Sequence, residues 1–248
     1  SPLHHFEVHN VITIPPIAGL DISINNAVVA MWVGLAIVAG SFLLAVSRGI
    51  SPIPGKLQSI LEISLEFIRS MDYEFIGEEE GKRYVPFIAS LFLFILACNL
   101  IGLIPGSYTI TSQLAVTAAF AVGIFFMTLV IGFGKHGMHF LGILVPPGVP
   151  KIMIPLMVPI EIISMLARPI SLAVRLFANM LAGHLLLVTF AVLSAALWDT
   201  SPLISIVWAP FVVLIGLTGF EVLVAFLQAF IFTILTAVYI GGALHPEH

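Results

Sequence analysis

Charge is what this sequence has least of. Only 9% of its 248 residues are Asp, Glu, Lys or Arg, while 60% are hydrophobic. A soluble domain carries about 25% charged residues, so a water-soluble enzyme is excluded and a helical membrane protein is expected. Cysteine is nearly absent too. Cys98 stands alone in an apolar run, which excludes an intrachain disulfide and any zinc site built on cysteines. The net charge is −4 and there is no basic tail, so nucleic acid is not an expected partner. The first 25 residues hold no Lys or Arg and no useful apolar stretch, and do not read as a secretory signal. No P-loop or other nucleotide motif occurs, so the chain is not expected to be catalytic alone.

What the sequence does have is long apolar segments. Residues 1–26 read as an outer N-terminal segment. Ala27 to Ser47 is the first span, about 20 residues ended by Arg48, the right length for a bilayer. Residues 48–84 form the charged segment, with five of the nine Lys and Arg: Arg48, Lys56, Arg69, Lys82 and Arg83. The positive-inside rule puts this segment in the cytoplasm, or in the matrix of an organelle, and the N-terminus outside. Within it, KLQSILEISLEFIRSM gathers Leu57, Ile60, Leu61, Ser64, Leu65 and Ile68 on one helical face. That face fits either a helix lying on the membrane surface or a short helix packed on the rest of the protein. Residues 85–151 hold two more spans. Val85 to Ile104 ends at the Pro-Gly turn of IPGSYTITS, and Leu114 to Phe133 returns to Lys135. The following GKHGMHFLGILVPPGVPK is a Gly- and Pro-rich loop whose apolar middle suits an excursion into the bilayer without crossing.

Residues 152–244 differ. Two arms, Ile152 to Leu197 and Leu203 to Leu244, flank the turn WDTSP. Each arm has about 40 residues and as a straight helix measures roughly 60 Å, against a hydrocarbon core of about 30 Å. Breaking the arms would put unsatisfied backbone in lipid, and neither has a strong breaker after Pro169 or Pro210. The expected fold is therefore all-α: a single membrane domain over residues 1–248, polytopic, with about five spans. It ends in a hairpin of two long, steeply tilted helices.

Residues at equal depth in a hairpin have position numbers that add to a constant, and a turn at Thr200 to Pro202 sets it near 400 to 404. Arg175 and Gln228 add to 403, His184 and Glu221 to 405, Glu161 and Tyr239 to 400. Glu161, Arg168 and Arg175 are spaced by seven and share a face, joined by Asn179; Glu221, Gln228 and Tyr239 share one on the other arm. Ionisable groups inside a span are functional by default. Arg175 has no acidic residue within ten positions, which argues against a local structural ion pair. Arg168, nearer the cytoplasmic end, suits a structural role, paired with Glu161 or snorkelling, as well as a pathway role. His184 lies about opposite Arg175 on its own helix and gains weight only from its depth match with Glu221. His4, His5 and His9, like His136 and His139, read as exposed loop histidines rather than metal ligands. No metal and no other cofactor is expected.

RLFANMLAGH, followed about forty residues later by LQAFIFTILTAVYI, closely resembles the signature of subunit a of the F-type ATP synthase, in its alphaproteobacterial and mitochondrial form. LHHFEV and NLIGLIPGSYTITS match the same family, and the resemblance covers nearly the whole chain. It implies a stator subunit with two offset half-channels that pass protons to and from the carboxylates of a rotating c-ring, coupling the ion gradient to rotation. Arg175 matches the arginine that faces those carboxylates, and Asn179 and Gln228 match its polar neighbours. His184 and Glu221 match the pair of the outer half-channel. Many bacterial relatives carry a carboxylate at the position of His184 and a histidine at that of Glu221. Glu161, Ser164 and Tyr239 match positions lining the inner half-channel. Ala178 stands where the family often has Gly. The implied partners are the c-ring, peripheral-stalk subunit b or its equivalents, other synthase subunits and the lipid bilayer. The implied location is the bacterial inner (plasma) membrane or, alternatively, the mitochondrial inner membrane.

Two other classes compete. An independent ion-coupled secondary transporter predicts an internal repeat with interrupted helices in matching positions, and the sequence shows no such repeat. A haem-carrying electron-transfer subunit needs axial ligands from facing helices, and only His184 lies in a span.

Overall fold

The computed structural model describes residues 10–12, 23–47, 55–104, 114–145, 150–200 and 204–245. Six helices make up almost all of it: α1 (Asn26–Ser47), α2 (Lys56–Phe75), α3 (Glu78–Gly102), α4 (Leu114–His136), α5 (Ile154–Thr200) and α6 (Ile204–Leu244). Two short strands, β1 (Asn10–Ile12) and β2 (Ile24–Asn25), pair antiparallel ahead of α1. Short 3-10 stretches cover Gly137–Leu144 and Lys151–Met153. His4, His5, His9 and the turn residues Ser201 and Pro202 lie outside the described residues.

Among the described residues, five stretches are long and apolar enough to cross a membrane, at residues 26–45, 78–102, 115–143, 173–193 and 212–244. Large apolar side chains on these helices, among them Trp32, Leu43, Phe126, Val130, Ile163 and Val212, are exposed. Water would penalise so much apolar surface, whereas hydrocarbon favours it. The expected all-α polytopic architecture is what the structure shows.

The ends of the helices carry the charge that the apolar segments lack. Glu78, Glu79 and Glu80 occupy the first turn of α3, and Lys135 and His136 the last turn of α4. Each set complements the helix dipole at its end. These residues extend both helices beyond the apolar spans expected from sequence. α5 has 47 residues and α6 has 41, or about 70 and 60 Å if straight. Pro159 and Pro169 lie within α5 without ending it, as lipid-embedded helices tolerate. The turn expected from Trp198 to Pro202 is shorter than that, because α5 continues through Thr200. An unbroken helix satisfies backbone groups that a longer turn would leave open.

The chain divides into two compact units. The first holds residues 1–41, 93–113 and 176–229. In it α1 meets α3 at Gly34, where an added Cβ would lie 3.0 Å from Cys98 Sγ; small residues permit such close approach of helices in lipid. The second unit holds residues 42–92, 114–175 and 230–248. Here α2 packs on the protein through Leu61, Ile68 and Met71. The Phe67 ring sits 6.3 Å from that of Phe92 and 5.5 Å from that of Phe230. Of the two readings of α2, packing on the rest of the protein is the one seen. Ile60 departs from the expected face and is 62% exposed, because the buried stripe is centred one residue later, on Leu61. Gly77, with φ of +96°, makes the turn into α3 in a conformation that side chains disfavour. Phe140 folds the 3-10 stretch back onto α4, burying its ring against Gly132 and 5.2 Å from the Phe133 ring.

Asp72 is the anomaly of α2. It is fully buried, and neither carboxyl oxygen has a hydrogen-bond partner among the described residues. Burial pushes its carboxyl up from 3.8 to about 7. The folded state therefore binds a proton that the unfolded chain has released between these values, so stability falls as pH rises from about 4 to about 7 and then levels off. Asp72→Asn keeps the shape and removes the charge. It is expected to raise the thermal dissociation midpoint by a few degrees at pH 8 and to change it little at pH 5. Differential scanning at the two pH values checks this, and an equal shift at both would show that the carboxyl is not the source.

Candidate functional site

α6 carries a buried stripe of Glu221, Ala225 and Gln228, spaced four and three apart. Glu221 and Gln228 are each only 6% exposed. Neither carboxyl oxygen of Glu221 has a hydrogen-bond partner among the described residues. Gly183 of α5 is what lets the two helices close here. An added Cβ would lie 2.9 Å from Glu221 Oε1 and 3.0 Å from its Cδ. The contact sets position 183 opposite 221, whose numbers add to 404, within the range the turn implies. His184 is the next residue of α5; its backbone is helical and its side chain lies outside the described ones. A buried polar group without a partner costs roughly 1–3 kcal/mol, more for a charge, so a carboxyl held this way calls for an explanation in chemistry rather than in packing.

Asn99 joins the stripe from α3. It is fully buried, and its Nδ2 donates to the Ala225 carbonyl at 3.1 Å, while Oδ1 has no partner among the described residues. Its target thus lies between Glu221 and Gln228. Sequence reasoning did not single out Asn99. The available signal was that Asn99 is the only carboxamide between Val85 and Ile104.

On α5, Arg175 and Asn179 are exposed and one turn apart, while Ala173 is buried. Two residues along a helix turn the side chain by about 200°, so Arg175 faces away from the side by which α5 packs. Arg175 makes no ion pair among the described residues. It belongs to the second compact unit and Gln228 to the first. Arg168 is in α5, with its side chain outside the described ones.

Nearer the inner end, Glu161, Ser164 and Tyr239 are all half-buried. Tyr239 lines a cavity of about 430 Å³ with Thr128 of α4, Phe140, and Met165, the neighbour of Ser164. The cavity is apolar apart from the Thr128 and Tyr239 hydroxyls and backbone. His136 Nε2 meets the Leu244 carbonyl at 3.0 Å, and His139 is exposed.

The molecule is thus an almost wholly helical, polytopic membrane protein that keeps ionisable side chains within its apolar helices. The family model described as ATP synthase A chain matches residues 28–241. The chain is 49% identical to ATP synthase subunit a of Magnetococcus marinus, over 99% of this chain and 93% of that one. It is 46% identical to ATP synthase subunit a 1 of Brucella anthropi, over 100% and 99% of the two chains. It is also 46% identical to ATP synthase subunit a of Allorhizobium ampelinum, over 99% and 98%. The chain belongs to the ATP synthase subunit a family.

Proposed function

We propose that this protein is the stator subunit a of an F-type ATP synthase in a bacterial inner membrane. In this reading its C-terminal helices provide two offset half-channels for protons, facing a ring of c subunits, with subunit b and the remaining subunits holding it still. What carries the reading is that, among the described residues, Glu221 of α6 is buried without a hydrogen-bond partner and Arg175 of α5 is exposed without an ion pair. A ring carboxylate must be neutral while it faces lipid, since charge there costs several kcal/mol. It must ionise on reaching the stator. Arginine suits that task because it stays protonated at any working pH and its planar fork matches a carboxylate. Its positive charge also separates the two half-channels. On the outer side Glu221 and His184 relay the proton, with Asn179 and Gln228 next to the arginine. On the inner side Glu161, Ser164 and Tyr239 release it. Arg168 serves that inner path or anchors the helix end. The chain does no covalent chemistry of its own and works only as part of the assembly.

The test is passive conduction. Vesicles containing the assembled membrane sector, stripped of its catalytic part, should carry protons under an imposed potential. Vesicles assembled without this chain should carry none, and neither should the purified chain without a ring. Ion transport by the lone chain would instead identify an independent transporter.

A further inference from the structure

We propose that a pocket at the inner end of α3, α4 and α6 binds a zwitterionic aminophospholipid, its phosphate on Arg83 and its ammonium on Glu79. The pocket has a volume of about 580 Å³, and its charged lining is Glu79, Glu80, Arg83 and Lys135. Val130, Ile131 and Leu244 form its apolar wall. Its depth is set by the helices that build it. The apolar run of α3 begins just after Tyr84, that of α4 ends just before Lys135, and α6 ends at Leu244. All three place the pocket where hydrocarbon gives way to headgroups, on the side that carries the excess of Lys and Arg.

The charges in and around the pocket are not equally occupied. Glu80 accepts from Lys135 Nζ and has His245 Nε2 at 3.4 Å. Glu78 holds Lys82 at 3.4 Å. Glu79 and Arg83 are exposed and form no ion pair with any described residue. Yet they stand four apart on α3 with the acid first, the favourable order for a helical salt bridge. One unpaired anion and one unpaired cation, a helical turn apart, therefore both line the same pocket. A phosphoethanolamine headgroup presents the complementary pair, a phosphate and a primary ammonium joined by two carbons. The ammonium offers hydrogen bonds to a carboxylate that a choline headgroup lacks. An anionic headgroup without the amine leaves Glu79 uncompensated, because Lys135 and His245 are committed to Glu80. The acyl chains would lie along Val130, which is 70% exposed, with Ile131 and Leu244 beside it. This inference is independent of the proton path, and its failure leaves that reading untouched.

The experiment is lipid competition on the purified, assembled complex. It is equilibrated in detergent with equal amounts of phosphatidylethanolamine, phosphatidylcholine and phosphatidylglycerol, and retained lipid is counted by mass spectrometry. Phosphatidylethanolamine should be enriched severalfold in the native complex. That enrichment should fall by about one lipid per complex in the Glu79→Gln, Arg83→Gln double variant, whose two sites are exposed and leave the core intact. Water-soluble glycerophosphoethanolamine should not displace the lipid, because it lacks the chains. Loss of phosphatidylglycerol instead would identify a merely basic site and overturn the proposal. So would equal retention in native and variant complexes, or displacement by the chainless headgroup.

Discussion

Arg175→Ala is expected to abolish coupled ATP synthesis while leaving an assembled membrane sector that leaks protons. Arg175 is exposed on an apolar helix and has no ion pair among the described residues. In the proposed mechanism it has two separable duties: it makes each passing ring carboxylate ionise, and it keeps the two half-channels electrically apart. Alanine removes both. Nothing then draws the proton off the ring, and passive flow rises because the barrier is gone, dissipating about 2.3 kcal/mol per charge per 100 mV. Arg175→Lys should retain part of the barrier and lose coupling, since a compact ammonium lacks the bidentate fork and can deprotonate when desolvated. The measurement is proton flux into vesicles under an imposed potential, run beside ATP synthesis, with assembly verified. A purely structural arginine would give loss of assembly and no leak. A well-assembled Arg175→Ala complex that still couples synthesis to the gradient would falsify the mechanism.

The second large effect concerns the outer path. Glu221→Gln is nearly isosteric and keeps the close approach at Gly183, so assembly should survive. A residue that transfers protons contributes on the order of 10²-fold or more, and proton uptake from the outer side should slow by about that factor. The exchange of His184→Glu with Glu221→His should retain more activity than either change alone, because it restores one acid and one imidazole to adjoining helices. Two effects that simply add, with the double variant no better than the worse single one, would show that these residues act separately. Since Gly183 leaves no room for a Cβ beside the Glu221 carboxyl, the exchanged pair is read best in a background that keeps this glycine.

The sequence by itself determined a good deal. Length and apolar composition dictate spans, because backbone in lipid has no partner but its own helix. The same constraint makes the arms around WDTSP unbroken, and a short turn between antiparallel helices sets their register arithmetically. Gly183 opposite Glu221 falls where that arithmetic puts it. Glu221, Arg175 and their neighbours were legible because an ionisable group stands out against an apolar run.

Other features appear only when the chain is folded, because they depend on partners far away in sequence. Which stripe of α2 is buried, that of Leu61, Ile68 and Met71, was decided by packing and not by the periodicity of α2, which tolerates a shift of one residue. Asp72 looks in sequence like one more charge on a solvated face; burial leaves its carboxyl without a partner among the described residues and raises its pKa to about 7. Asn99 acquires its meaning from a carbonyl 126 positions later. The occupied and unoccupied charges at the inner end follow the same rule. Lys135 comes to Glu80 from α4 and His245 from just beyond α6, and Glu79 and Arg83, matched in sequence, form no ion pair among the described residues. Periodicity and hydropathy are local and survive in the sequence; the pairing of a polar group is a property of two distant segments, and only tertiary structure decides it.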